Sequence, residues 1–318
     1  MTERGCNRRS WLTRVRGRLW RNVFGDRVLV PARQADAMWH LQRGRSRIRG
    51  GEVVVRFDNL NADIALDARS DLAMRAIAEG QYEPEVLATI PELVGAGDAI
   101  NVGANVGVVA IVMRRSMGTS SRLLCVEPIE ECVDRLTRNL ERAAADQRVL
   151  VQRAFATDKP NGSHEMWTVP GRPEYSSGGR LVHPSVAATE HLAMTVPAIR
   201  LDDVVIAEGM EPTCIVMDCE GGEFNALRGA RETLAVRQPT IVMEFDPPLL
   251  QANGGSAAAF LRFLAELGYR CITLTDPPGE VEDTFAGTIV AVPASRAAAA
   301  ERVIGEVCSR YRQPSRSR

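Results

Sequence analysis

The stretch DAINVGANVGVVAIV, Asp98 to Val112, constrains this chain most. An apolar run of strand length enters a turn punctuated by Gly103 and Gly107 and leaves as a second apolar run of helical length. A strand, a glycine turn and a helix in that order fit an open parallel sheet. In such sheets ligands sit beyond the carboxyl ends of the strands, where the strand order reverses. Gly103 lets the backbone approach a ligand with no Cβ in the way, and Gly107 lets the next helix start close to it.

The pattern then repeats. RLLCVEP reads as a strand ended by Pro128, and IEECVDRLTRNLERAAA as a helix with Ile129, Val133, Leu136 and Leu140 on one face. RVLVQRAFA reads as a third strand, TCIVMD as a fourth and PTIVMEF as a fifth, with GGEFNALRGARETLAV as a helix between the last two. SAAAFLRFLAELG is a helix, YRCITL a strand and FAGTIVAVP a last strand. Alternation of this kind means parallel strands joined by crossover helices. TDPPGEVEDT leaves no room for a crossover, so the last pair should be antiparallel. Thr157 to Leu192 breaks the rhythm: HEMWTV suggests an extra strand, and PGRPEYSSGGRLVHPS is a turn-rich loop of the kind that forms lids.

Glu127 ends the second strand, twenty residues after Gly107. An acid there accepts hydrogen bonds from ribose hydroxyls. The turn is G-x-x-x-G, with Ala104 and Asn105 where a dinucleotide site has its middle glycine, so the pyrophosphate cradle is missing. A cofactor with ribose and adenine but no phosphate fits, which describes S-adenosylmethionine. The rivals are an NAD-dependent oxidoreductase on a similar sheet, disfavoured by the same turn, and a non-catalytic nucleoside-binding or scaffold protein.

In QYEPEV, INVGANVG, CVEP, IRLDDV, VMDCEGGEFNALRGARETL and PTIVMEF the chain resembles the FkbM family of S-adenosylmethionine-dependent methyltransferases, from about Leu66 to Leu274. The resemblance implies a class I methyltransferase α/β fold (Rossmann-like): a seven-stranded sheet, helices on both faces and an antiparallel last strand pair. It also implies O-methylation of a hydroxyl on a saccharide, glycolipid or other natural product. Two positions depart from the family. Asn101 stands where an aspartate is common, and Val216 where a lysine usually precedes the acid, here Asp218, by two residues.

On this reading the cofactor is held by Glu83, Asn101, Gly103, Asn105, Gly107, Glu127, Ala156 and Asp218, with Phe155 to Asp158 bordering the adenine. Glu83 and its neighbour Tyr82 enter through the family resemblance. The hydroxyl must lose its proton as it attacks the methyl group. Asp218, Glu220 and the loop residue His183 are the catalytic candidates. Glu223 reads as an acid favoured by a helix N-terminus, and Asp202 as a turn or cap residue. Carboxylates suit a hard divalent cation, but the sequence shows no dedicated cage and no metal ligand is assigned.

Composition sets the outer limits. A net charge of -1 and a pI near 6.5 give no global pull toward nucleic acid. Seven cysteines without a C-x-x-C pair point to a reducing, cytoplasmic compartment and against a zinc site. No apolar run is long enough to span a membrane, and no secretory signal is expected. The first 27 residues carry eight arginines, with Trp11, Val15, Leu19 and Trp20 at roughly helical spacing. That pattern suits a basic amphipathic helix docked on its own domain, or peripheral contact with a membrane that presents a glycolipid. The expected organisation is an N-terminal extension with a small hairpin over 1–64, the methyltransferase domain over 65–293, and a C-terminal helix with a disordered tail over 294–318.

Overall fold

The computed structural model describes residues 29–31, 51–68, 70, 72–73, 76–77, 82–160, 162–169, 172–177 and 190–311. The expected N-terminal amphipathic helix, His183 and the C-terminal tail lie outside the described residues. The chain divides into two compact units, Met1–Tyr82 and Glu83–Arg318.

In the first unit, β1 (Leu29–Pro31) pairs parallel with β2 (Glu52–Phe57), which forms a hairpin with β3 (Ala62–Asp67) in the register Glu52↔Asp67 to Phe57↔Ala62. A short 3₁₀ segment, Asp58–Leu60, followed by Asn61 at φ 47°, closes it.

The second unit opens with α1 (Pro84–Leu93) and the strand–turn–helix of β4 (Asp98–Val102) and α2 (Val108–Ser116). Next come β5 (Leu123–Val126), α3 (Glu130–Arg142) and β6 (Val149–Gln152). An inserted stretch holds β7 (Phe155–Ala156), β8 (Ser163–Val169), β9 (Arg172–Ser177) and β10 (Leu192–Ile199). After α4 (Leu201–Ala207) come β11 (Pro212–Met217), α5 (Glu223–Arg228), α6 (Arg231–Arg237) and β12 (Thr240–Phe245). The chain continues through α7 (Pro247–Ala252), α8 (Ala257–Glu266), β13 (Tyr269–Thr273), β14 (Gly287–Pro293) and α9 (Ala297–Tyr311).

The main sheet has seven strands in the order β13-β14-β12-β11-β4-β5-β6. All are parallel except β14, which runs antiparallel to both neighbours, as the short β13–β14 connection requires. Every residue of β4 and β5 is buried, which is why they read as unbroken apolar runs. On one face Ile100, Val102, Val126, Ile215, Met217, Met243 and Phe245 pack with apolar residues of α4 to α8, including Phe224, Leu234 and Phe260. The helices α1, α2 and α9 pack together as a layer of their own, with α2 against β4 and β5 and α9 against β13 and β14. Asp98 ties the amino ends of β4, β5 and β11: it accepts from Arg122 N at 2.7 Å, Arg122 Nη2 at 2.7 Å and Glu211 N at 3.0 Å. Burial pushes its carboxyl up, but these bonds and the Arg122 charge outweigh that and hold it below its usual range.

The expected third strand, RVLVQRAFA, is divided. β6 is an edge strand whose Val151 and Gln152 are exposed. Beyond it Phe155 leaves the sheet and finds burial against Ile129, Cys132, Met166 and Val196. There β7 pairs with β10 in a separate four-stranded sheet, order β7-β10-β8-β9. β8 contains the anticipated HEMWTV strand, whereas β9 replaces part of the anticipated loop. Ladder bonds to β8 override the turn-forming residues there, and an edge strand tolerates Pro173.

Candidate functional site

The strand order reverses between β4 and β11, so the switch point lies at their carboxyl ends. Two turns meet there, 103–107 after β4 and 218–222 after β11. They meet closely: a Cβ on Gly103, which has φ +73°, would stand 1.8 Å from the Asp218 carbonyl oxygen. This glycine is therefore required by the neighbouring strand, ahead of any ligand.

The first turn is held from β5 and α3. Gly103 N and Ala104 N both donate to Val126 O, and Asn139 Nδ2 donates to Val106 O at 2.8 Å. Glu127 accepts from Asn105 N at 2.8 Å on one carboxyl oxygen and from Ile129 N at 3.0 Å on the other. Burial pushes Glu127 up to about 7; its two backbone bonds pull the other way, and the Asp218 charge adds to the rise. A carboxylate offers about four lone-pair directions, so each oxygen keeps one for a further donor.

Asn101 sits at the centre of the site, only 2% exposed. Its Nδ2 donates to Val216 O at 3.2 Å, and its buried Oδ1 has no hydrogen-bond partner among the described residues. Asn105 Oδ1 is likewise unpartnered. A buried amide oxygen short of a donor costs about 1–3 kcal/mol, so two of them at a sheet edge fit a ligand that carries N–H or O–H groups.

The second turn carries the acids. Asp218 is exposed at the end of β11, and Glu220 and Gly221 follow with φ +50° and +90°. Asn105, at φ +46°, has the matching feature in the first turn. Non-glycine residues held there cost about 1–3 kcal/mol each. Glu223 is 3% exposed and accepts from Cys219 N at 2.6 Å, so it fastens the turn before its helix as well as standing at a helix start.

One residue that the sequence reading passed over joins them. Glu244 lies on β12, where Val216 pairs with Val242 and Met217 with Met243. The alternation puts Glu244, and Asp218 just past β11, on the face of Asn101 and Val216, opposite the Met217–Met243 core. One oxygen each from Asp218, Glu223 and Glu244 falls within 4.8 Å of the others. Burial, then the charges of neighbouring carboxyls, raise Glu220 to about 8 and Glu244 to about 9; burial is also the main cause that lifts Glu223 to about 7. The signal for Glu244 was available as a lone acid near the carboxyl end of an apolar parallel strand.

The remaining candidates fall around this edge. Phe155 and Ala156 are each 5% exposed; the Phe155 ring stacks on His164 at 4.0 Å, and a Cβ on Gly222 would come 3.3 Å from its Cζ. Glu83 occupies the position just before α1 in a left-handed conformation, and its charge bears on Glu220. Gly107, at φ +95°, caps α2 against Leu136. Asp202 is set apart: it accepts from Glu232 N, Thr233 N and Thr233 Oγ1, and so caps α6 from α4.

A seven-stranded sheet of this order, with its antiparallel β14 and helical layers, is the class I methyltransferase fold. The family model for the methyltransferase FkbM domain matches residues 101–271, just over half of the chain, and the chain belongs to that family. Among solved structures it is similar to an FkbM methyltransferase from Methylobacillus flagellatus, at 15% identity and a TM-score of 0.41, over 70% of this chain. It spans 55% of the length of that protein. It is also similar to an O-methyltransferase from Bacillus cereus in complex with SAH (16% identity, TM-score 0.41, 67% of this chain and 82% of that one). A third is the O-methyltransferase TomG from Streptomyces achromogenes (11% identity, TM-score 0.39, 66% and 79%). No curated protein matches the chain significantly.

Proposed function

We propose that this methyltransferase uses S-adenosylmethionine to methylate a hydroxyl of a saccharide, glycolipid or other natural product. The observation that carries the cofactor reading is the unpartnered, buried Oδ1 of Asn101 at the switch point. The cofactor's methionine ammonium supplies the N–H donors that this oxygen lacks. Its ribose hydroxyls take the open positions on Glu127, and Gly103 and Gly107 leave the backbone bare beneath it. Ala156 and Phe155 supply the apolar border that an adenine face needs. S-adenosylmethionine supplies an electrophilic methyl group on a sulfonium. Asp218 and Glu220 then stand at the edge where the acceptor enters, to position its hydroxyl and take its proton.

Titration calorimetry with S-adenosylmethionine, its demethylated product and NAD tests the cofactor. Binding of the first two and not of NAD is expected; NAD binding alone would return the oxidoreductase reading. Mass spectrometry of a host extract incubated with the protein and methyl-labelled cofactor tests the acceptor class. Label on a hydroxyl oxygen is expected, and label confined to nitrogen or carbon would overturn O-methylation.

A further inference from the structure

Negative charge is crowded at one point of the sheet edge, where one oxygen each from Asp218, Glu223 and Glu244 lies within 4.8 Å of the others. The groups that weigh most on Glu244 are Asp218 and Glu220 in the turn after β11, Glu223 on α5 and Asp246 after β12. Those on Glu220 are Asp218, Glu223, Asp246 and Glu83 at the start of α1. All are carboxyls. Glu127 and Asp218 also bear on each other across the two turns. Asn101 lies one pleat behind Asp218 and Glu244 on the same face, with its buried Oδ1 unpartnered. A buried amide oxygen without a donor and a set of crowded carboxyls call for the same ligand, one bringing N–H groups and positive charge.

Building on the cofactor reading above, we propose that Asp218, Glu220, Glu223 and Glu244 form a charge-coupled proton acceptor. The cofactor's sulfonium holds the set ionised, and loss of that sulfonium on methyl transfer makes it take up the proton of the acceptor hydroxyl.

The step balances. A lone pair of the hydroxyl oxygen forms the bond to the methyl carbon. The electron pair of the breaking C–S bond stays on sulfur, which becomes a neutral thioether, and the hydroxyl proton passes to a carboxylate of the set. Positive charge thus moves from sulfur to a proton on the carboxyls, and the total charge of the site is unchanged. A cation within about 4–6 Å lowers a carboxyl pKa by about 1–3. Once it is gone, burial and like charges raise Glu220, Glu223 and Glu244 again, so the basicity of the set grows as the hydroxyl becomes acidic.

A proton inventory by calorimetry tests this on the full chain at pH 7, in buffers of differing ionisation enthalpy. That pH lies below the α-amino range of about 7.7–8.0, which largely removes the ligand's own ammonium from the count. S-adenosylmethionine is expected to release about one proton on binding, and S-adenosylhomocysteine, which lacks the sulfonium charge, close to none. Between about pH 6 and about pH 7, still below the range of the ligand ammonium, the Kd for S-adenosylmethionine should fall by up to about tenfold, and that for S-adenosylhomocysteine stay level. In Glu244→Gln the proton release should shrink to about half or less. Equal release by the two ligands, or none by S-adenosylmethionine, overturns the inference while leaving cofactor binding intact. A folded protein that binds neither ligand overturns the cofactor reading and this inference with it.

Discussion

At Gly103 a single missing Cβ lets two strand ends lie side by side. Gly103→Ala would bring a methyl group 1.8 Å from the Asp218 carbonyl oxygen, which is backbone and cannot swing away. The expected result is a loss of more than about 3 kcal/mol, from backbone strain and overpacking together. Gly107→Ala meets Leu136 Cδ1 at 2.7 Å, the far end of a flexible side chain, so only the left-handed strain of about 1–3 kcal/mol should remain. Thermal unfolding of both variants checks the order; equal Tm values would mean that the strand ends can part. Glu127 serves the turn and, on the proposed reading, the ribose. Hydrogen bonds to a charged acceptor are worth about 1.5–3 kcal/mol. Glu127→Ala is therefore expected to weaken S-adenosylmethionine binding by roughly ten- to a hundred-fold, at about 1.4 kcal/mol per decade. Unchanged affinity in a folded variant would place the ribose elsewhere.

Among the elements, those that announce themselves in the sequence are those whose burial follows one simple rule. β4, β5, β11 and β12 are covered on both faces and read as apolar runs ended by Gly103, Pro128, Asp218 and Asp246. The β7–β10 sheet did not read so clearly, because its edge strand β9 is built of turn-forming residues and the pairing of β10 with β7 and β8 is long-range. Glu244 was visible as a lone acid in its strand, but its meeting with Asp218 was not, because only the register of β12 against β11 brings the two together. Asp202, by contrast, was legible as a cap, although which helix it caps was not. Its 1%-exposed carboxylate fastens α4 to the start of α6, so Asp202→Ala leaves the amides of Glu232 and Thr233 without that acceptor. A loss of about 1–3 kcal/mol in stability is expected, with cofactor affinity unchanged in the folded fraction. A variant of normal Tm that binds the cofactor poorly would instead move Asp202 into the site.

The whole molecule carries the electrostatic cost of its site as a dependence of stability on pH. Glu127 and Glu223 are raised to about 7, Glu220 to about 8 and Glu244 to about 9, from an ordinary value of 4.5. In each case burial is the main cause. A group whose pKa is raised on folding binds its proton more tightly in the native state. Its contribution is fully present below the unfolded value and is lost as pH climbs through the folded one. All four therefore act in one direction, and the ligand-free protein should lose stability from about pH 5 to about pH 9. Asp98 acts in the opposite sense, because its pKa is lowered, but only as pH falls below the ordinary carboxylate range. Stability should thus peak on the acid side of neutrality. A net loss of only ~2 kcal/mol lowers Tm by about 4–8 °C in a domain of this size. Calorimetric scans near pH 5.5 and 8.5 check the sign. A Tm that is level or rises with pH would mean that the site carboxyls are already ionised at neutrality. With saturating S-adenosylmethionine the decline should flatten, because the sulfonium favours the ionised carboxyls that burial disfavours.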